Sequence, residues 1–390
     1  MPPFWRWTFH PGADMAAPIL PGATLGILGG GQLGRMFCIA ARNMGYQLNV
    51  LDPDPDSPAG RIADDHIEAD YRDSEALDYM ARTCDVITTE FENVPADSMR
   101  RLAGNRPVFP SADVLEVAQN RNREKAFALK AGLKPAPHHP VFNVADLEQA
   151  VSVTGLPAIL KTATLGYDGK GQYVVDSLQQ AQQAFQASGA VECVLEKKIE
   201  LRKEVSVIVA RNQQGESAVY TVAENQHRNG ILHITMVPAR IDQAIIDRAR
   251  EQALALAREL DYVGVLAVEF FIDSNNELLF NEMAPRPHNS GHYTKDACVT
   301  SQFEQQVRVI CGLAPGDVTL LSPVVMVNLL GDLWQPDWQV LLREPNVKLH
   351  LYGKKEARPG RKMGHYNVLD SDPEQALATA RTIFSVLSGD

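Results

Sequence analysis

Residues 265–272 (VLAVEFFI), a polar turn at 273–276 (DSNN) and residues 277–292 (ELLFNEMAPRPHNSGH) read as a tight β-hairpin that carries an acid on each strand, Glu269 and Glu282. If Ile272 lies opposite Glu277, the register sets Glu269 diagonally across from Glu282 on the same sheet face, roughly 7–8 Å apart at the backbone. An acid on a hairpin commonly faces water, but Glu269 is the only charge between Val263 and Ile272. An unpaired carboxylate in so apolar a strand costs several kcal/mol, so the pair calls for a cation. A hard divalent ion with oxygen ligands, bridging to polyphosphate, is the simplest occupant.

The 390 residues suffice for two or three domains with large cores. The net charge of −11 and the lack of a basic stripe argue against nucleic acid as a partner. Cys38, Cys84, Cys193, Cys298 and Cys311 are scattered without CxxC spacing and read as reduced, buried thiols of a cytoplasmic protein. No run reaches the ~18 apolar residues a membrane helix requires, so no membrane partner is expected. Residues 1–22 hold too few consecutive apolar residues for a signal peptide and read as a disordered extension, from a start upstream of Met15.

A βα pattern follows. The spacing predicts a strand over 24–28, a glycine turn at 29–34, a helix over 32–44 and a second strand at 47–51 ending at Asp52. This fits G-x-G-x-x-G with an acid about 20 residues on, which serves either a phosphate at a helix N-terminus or close strand–helix packing. Glu90 and Glu92 stand just past the strand 86–89, where open α/β sheets bind ligands. Composition shifts at 118–125 (AQNRNREK), and the prolines of 133–140 predict an irregular segment. The expected division is 1–22, 23–117, 118–317 and a small C-terminal unit at 318–390.

Residues 159–172 (ILKTATLGYDGKGQ) give a second phosphate signal. Lys161 closes an apolar strand, and Gly166, Gly169 and Gly171 allow backbone N–H groups to turn toward phosphate oxygens. The loop is not a Walker A motif, and a plain hairpin connector remains the alternative.

Taken in order, the strand lysine, the glycine loop between strands, Glu196, Glu204 and the Glu269/Glu282 pair followed by Arg286 resemble the ATP-grasp superfamily. The segments GGGQLGRM (29–36), TTEFENV (88–94), GYDGKGQ (166–172), NEMAPRPHNSGHYT (281–294) and RPGRKMGH (358–365) resemble the N5-carboxyaminoimidazole ribonucleotide synthetases of purine biosynthesis. The resemblance runs from about residue 23 to the C-terminus. Ala284 departs from the Glu-x-Asn of many ATP-grasp enzymes, a change shared by the carboxyaminoimidazole and formate-dependent formyltransferase branches.

The resemblance implies mixed α/β and α+β architecture: an ATP-grasp fold behind a Rossmann-like pre-ATP-grasp domain, with a small C-terminal domain. It implies that Arg121, Lys161, the loop Gly166, Tyr167, Asp168, Gly169, Lys170, Gly171 and Gln172, together with Glu204 and His227, line an ATP site. Backbone groups of Glu196, Lys197, Lys198 and Ile199 are expected at the adenine edge, Glu204 at the ribose, and Asn281 and Glu282 at the phosphates. Mg2+ is expected on Glu269 and Glu282. A ribonucleotide phosphate falls to Lys355, Arg358, Arg361 and Lys362, a cluster that without the resemblance reads as a solvated basic turn. Glu90, Asn289 and Ser290 are further substrate candidates, and Arg286 and His288 join Lys161 as catalytic ones. Pro285, Pro287 and Gly291 rule out a helical metal motif for His288 and His292, which instead are expected in a polar pocket.

The implied reaction is ATP-dependent carboxylation of 5-aminoimidazole ribonucleotide by bicarbonate through carboxyphosphate, in a homodimer. A formate-dependent glycinamide ribonucleotide formyltransferase is the nearer rival. A nicotinamide oxidoreductase using Gly29–Gly34 and Asp52, or a nucleotide sensor without turnover, is the farther one.

Overall fold

The computed structural model describes residues 17–164, 166, 171–334 and 338–389. Four strands, β1 (Thr24–Leu28), β2 (Gln47–Leu51), β3 (Asp65–Ile67) and β4 (Val86–Thr89), form a parallel sheet ordered β3-β2-β1-β4. β1, β2 and β4 are buried along nearly their whole length because a parallel sheet is covered on both faces. Helix Gln32–Asn43 buries Leu33, Met36 and Phe37 against it, in a core that continues through Phe303, Val307 and Tyr352. The expected extension is tied down in its last part. The Ile19 N–H donates to the Cys311 carbonyl at 2.9 Å, and Tyr46 Oη donates to the Ile19 carbonyl at 2.8 Å.

A second sheet contains β5 (His138–Val141), β6 (Ala158–Thr162), β7 (Gln172–Val175) and β8 (Cys193–Lys197), all antiparallel, ordered β5-β8-β6-β7. β5 corrects the expectation of an irregular segment through residue 140. It is an edge strand with Pro140 opposite Val194, where a missing N–H costs no ladder bond.

The third sheet has nine strands: β9 (Leu201–Arg211), β10 (Ser217–Val219), β11 (Ala223–Arg228), β12 (Ile231–Val237), β13 (Gly264–Asp273), β14 (Leu278–Ala284), β15 (Val324–Leu330), β16 (Val347–Leu351) and β17 (Lys362–Leu369). Its order is β14-β13-β9-β11-β12-β15-β17-β16, with β10 beside β9. The C-terminal strands thus extend this sheet through the β12–β15 pairing. Helix Pro373–Ser388 covers them, burying Leu377 and Ile383 beside Tyr366. Among the described residues no helix is long and apolar enough to cross a membrane.

Candidate active site

The hairpin β13–β14 forms as the alternation predicts, with a different register. Ile272 pairs with Leu278 and Phe270 with Phe280, after which a β-bulge brings Glu269 directly opposite Glu282. Asn281 is the extra residue, and a bulge re-aims side chains. Asn281 and Glu282 consequently line one cavity with Glu269, although strict alternation sends Asn281 to the other face.

The two acids divide by partner. Burial and then the charge of Glu282 push the Glu269 carboxyl up to about 7. Burial also acts on Glu282, but Arg121 and then Lys161 outweigh it and hold that carboxyl below its usual range. Arg121 Nη1 lies 3.1 Å from Glu282 Oε2, while its Nη2 donates to the Gly166 carbonyl at 3.1 Å. The Glu282 side chain keeps 40 % of its surface, so it remains open to a ligand from the cavity.

Under the cavity lies a group of buried charges that sequence reasoning saw only in part. Glu196 sits between Lys161, 2.8 Å away, and Lys125, 3.2 Å away. Burial would raise its carboxyl, but Lys125 and Lys161 bring it down to about 2. Lys125 was missed, as was Glu124, which accepts the Met283 N–H at 2.6 Å and is pushed up to about 8 by burial and Glu282. A signal existed: Arg121, Glu124, Lys125 and Ala128 share one face of helix Arg121–Lys130, the face that is buried.

Around this group, Glu204 pairs with His227 across β9 and β11, outweighing the burial that disfavours a charged ring and raising the histidine's pKa. Lys161, Gln172, Glu204 and His227 line the cavity of about 210 Å³ that holds Glu269 and Glu282. Of the glycine loop, Gly166, Gly171 and Gln172 are described, and Tyr167, Asp168, Gly169 and Lys170 lie outside the described residues. Gly171, at φ +70°, packs where a Cβ would stand 2.6 Å from Thr162 Oγ1. The backbone at 196–199 is partly engaged: Lys197 N–H donates to the Pro137 carbonyl at 2.8 Å and Lys198 N–H to that of Pro157 at 3.1 Å.

A second cavity, of about 130 Å³, shares Arg121, Glu282, His288 and Lys362 with the first and adds Glu92 and Arg286. Glu92 and Arg286 form a half-buried ion pair, in which Arg286 overcomes the loss of solvent and brings the Glu92 carboxyl down to about 2. Asn289 is 7 % exposed, and neither end of its amide has a hydrogen-bond partner among the described residues. A buried amide left open at both ends beside a cavity is suited to a polar ligand.

Family models match a ribonucleotide synthetase preATP-grasp domain at residues 22–119, an ATP-grasp domain at 126–303 and a phosphoribosylaminoimidazole carboxylase C-terminal domain at 324–379. The N5-carboxyaminoimidazole ribonucleotide synthase of Bacillus subtilis is 46 % identical over 360 residues, 92 % of this chain and 94 % of that protein. A crystal structure of an N5-carboxyaminoimidazole ribonucleotide synthetase in its ADP complex superposes with a TM-score of 0.91 at 47 % identity, covering 95 % of this chain and 98 % of the other. The chain belongs to the N5-carboxyaminoimidazole ribonucleotide synthase family. It is an ATP-grasp ligase of purine biosynthesis. A more distant family member, from Aspergillus clavatus and in complex with ADP and 5-aminoimidazole ribonucleotide, has a TM-score of 0.86 at 31 % identity over 94 % of this chain and 99 % of its own.

Within this N5-carboxyaminoimidazole ribonucleotide synthase fold, several expected site residues are placed elsewhere. Glu90 is not at the shared cavities: its carboxylate accepts the N–H groups of Gly31 and, at 2.7 Å, Gly34 at the start of helix Gln32–Asn43. Asp52 accepts from the Gly30 N–H at 2.6 Å and Tyr71 Oη at 2.7 Å. The chain's own acids therefore take up N–H groups of the glycine turn that a dinucleotide phosphate would use. His292 does not join His288 at the cavity. It is buried against His365, ring centroids 4.8 Å apart, and meets Gln302 Nε2 at 3.2 Å. Ser290 is also fully buried, bonded to Ser206 and His288. Of the basic cluster, Lys362 lines both cavities. Lys355 pairs with Asp56, Arg358 with Glu356, and Arg361 Nη1 donates to the Glu356 carbonyl at 2.8 Å.

Proposed function

We propose that this chain carboxylates the exocyclic amine of 5-aminoimidazole ribonucleotide with bicarbonate, converting ATP to ADP and phosphate. The observation that carries the reading is the meeting of Glu269 and Glu282 with Lys362 and the unpartnered Asn289 amide in one cavity. Two facing acids suit a hard cation that also binds phosphate oxygens, and one or two carboxylates are the usual protein share of a Mg2+ site. Glu269 and Glu282 would hold it, and the ion would supply charge neutralisation at the transferring phosphoryl group.

The chain's residues divide the remaining work. Arg121 and Lys161 place positive charge at the phosphate end, while Glu204 and His227 take the sugar end of the nucleotide. Arg286, held by Glu92, and Asn289 orient the bicarbonate-derived carboxyl group and the aminoimidazole. Lys355, Arg358, Arg361 and Lys362 take the ribonucleotide phosphate, with arginine suited to bind its oxygens in pairs. Segment 166–172 excludes water from the hydrolysable intermediate. We assign the protein to the cytoplasm, as a homodimer.

ADP release tests the reaction. It should rise strongly when 5-aminoimidazole ribonucleotide and bicarbonate are both supplied. Release driven instead by glycinamide ribonucleotide and formate would move the chain to the formyltransferase branch. ATP binding without turnover under either condition would leave only a sensor.

A further inference from the structure

A row of polar side chains crosses the sheet face beneath the cavity. Ser206 on β9 stands opposite Glu269, Asn225 lies two residues beyond Ser206's β11 partner Ala223, and Thr235 on β12 stands opposite Asn225. The period of two puts all four on one face. Buried Thr235, Asn225 and Ser206 are also joined: Thr235 Oγ1 donates to Asn225 Oδ1 at 3.0 Å, Asn225 Nδ2 to Ser206 Oγ at 2.9 Å, and Ser206 Oγ to Ser290 Oγ at 2.8 Å.

This chain has a direction. A hydroxyl has one hydrogen, and Ser206 gives its own to Ser290. The Ser290 hydrogen is left for His288 Nδ1, 2.9 Å away. The Ser290 backbone N–H points at the same nitrogen, at 3.3 Å, and an N–H cannot accept. His288 Nδ1 is therefore an acceptor, the ring is neutral, and its single hydrogen is on Nε2, which lies 3.5 Å from Glu269 Oε1. Gln302 fixes the backbone beneath the ring: its Oε1 accepts the His288 N–H at 2.9 Å and its Nε2 donates to the His288 carbonyl at 2.7 Å.

We propose that Thr235, Asn225, Ser206 and Ser290 are positioning residues that lock His288 as an Nε2–H donor. Building on the function proposed above, His288 then gives a hydrogen bond to an anionic oxygen of the bicarbonate-derived carboxyl group and to Glu269, and removes no proton from the amine. A base built on His288 needs a free ring nitrogen facing the cavity, and the only one faces Ser290.

The tautomer can be read without substrate, on the full chain labelled with ¹⁵N-histidine, taking the signals lost in His288→Gln as those of His288. Long-range ¹H–¹⁵N correlation should show an unprotonated Nδ1 and a protonated Nε2 at neutral pH. An Nδ1–H ring or an imidazolium would overturn the proposal. Kinetics supply the second arm. A glutamine amide nitrogen reaches the Nε2 position and an asparagine amide only the Nδ1 position, so His288→Gln should stay within about tenfold of wild-type kcat. His288→Asn and His288→Ala should fall by about a hundredfold, the cost of one lost donor to a developing anion. Equal losses in the Gln and Ala variants would exclude the donor role. Ser206→Ala should mix the His288 tautomers and lower kcat with the KM for ATP within twofold. A single tautomer with unchanged kcat would remove the relay. ADP release by the wild type reports on the reaction itself, so its failure is distinct from a failure of the tautomer measurement.

Discussion

Glu269, Glu282, Glu124 and Glu196 share one neighbourhood and have opposite fates, because the charges beside each of them differ. Glu196 has two lysines and Glu282 an arginine, whereas Glu269 and Glu124 feel chiefly burial and a like charge. Glu282→Gln keeps the shape and removes a charge from between the others. We expect its turnover to fall at least about a hundredfold, with the melting temperature close to wild type; near-normal ADP release would remove Glu282 from the cation site. Glu124 gives a pH signature. Its folded pKa of about 8 exceeds the ordinary glutamate value of 4.5, so the folded state binds the extra proton between those values. Stability from this group is full below about pH 4.5 and is lost as pH rises through 8, to a total on the order of 5 kcal/mol. Glu124→Gln should flatten that decline in urea melts from pH 5 to 8. An unaltered slope would show that Glu124 ionises normally.

Among the elements, the strand pattern of the hairpin was legible from residue types, but its register was not. The bulge at Asn281 is a property of how β14 pairs with β13, and alternation along one strand carries no information on it. The same limit applies at Glu90. Its place past β4 suggested a ligand acid, yet its carboxylate caps the glycine turn, where a Cβ on Gly31 would come within 2.4 Å of it. Glu90→Ala should therefore cost about 1–3 kcal/mol of stability through the abandoned N–H groups, measured by urea unfolding. A raised KM for the ribonucleotide with full stability would return Glu90 to the substrate site.

Across the whole molecule, the site draws Arg121 from a helix before the second sheet, Lys161 from β6, Glu269 and Glu282 from one end of the third sheet, and Lys362 from β17 far along the chain. Lys362 reaches the cavity because β15 and β17 extend the sheet that carries the acids. A charge-assisted contact is worth roughly 1.5–3 kcal/mol, or about tenfold to a hundredfold in affinity. Lys362→Ala should raise the KM for the ribonucleotide by that factor and leave that for ATP nearly unchanged. Arg358→Ala should act in the same direction but less, since Arg358 must first leave Glu356. An effect on ATP alone would place both residues at the nucleotide.

The sequence by itself determined the βα start, the acidic hairpin, the glycine loops and, through five ordered motifs, the family. These are local patterns, fixed by side-chain period and backbone freedom. Tertiary structure alone decided the partners: that Lys125 meets Glu196, that Glu90 reaches across to the start of helix Gln32–Asn43, that His292 is buried with His365, and that Glu269 faces Glu282 squarely. A buried charge takes its properties from whatever lies within a few ångströms, and those neighbours come from segments scores of residues away.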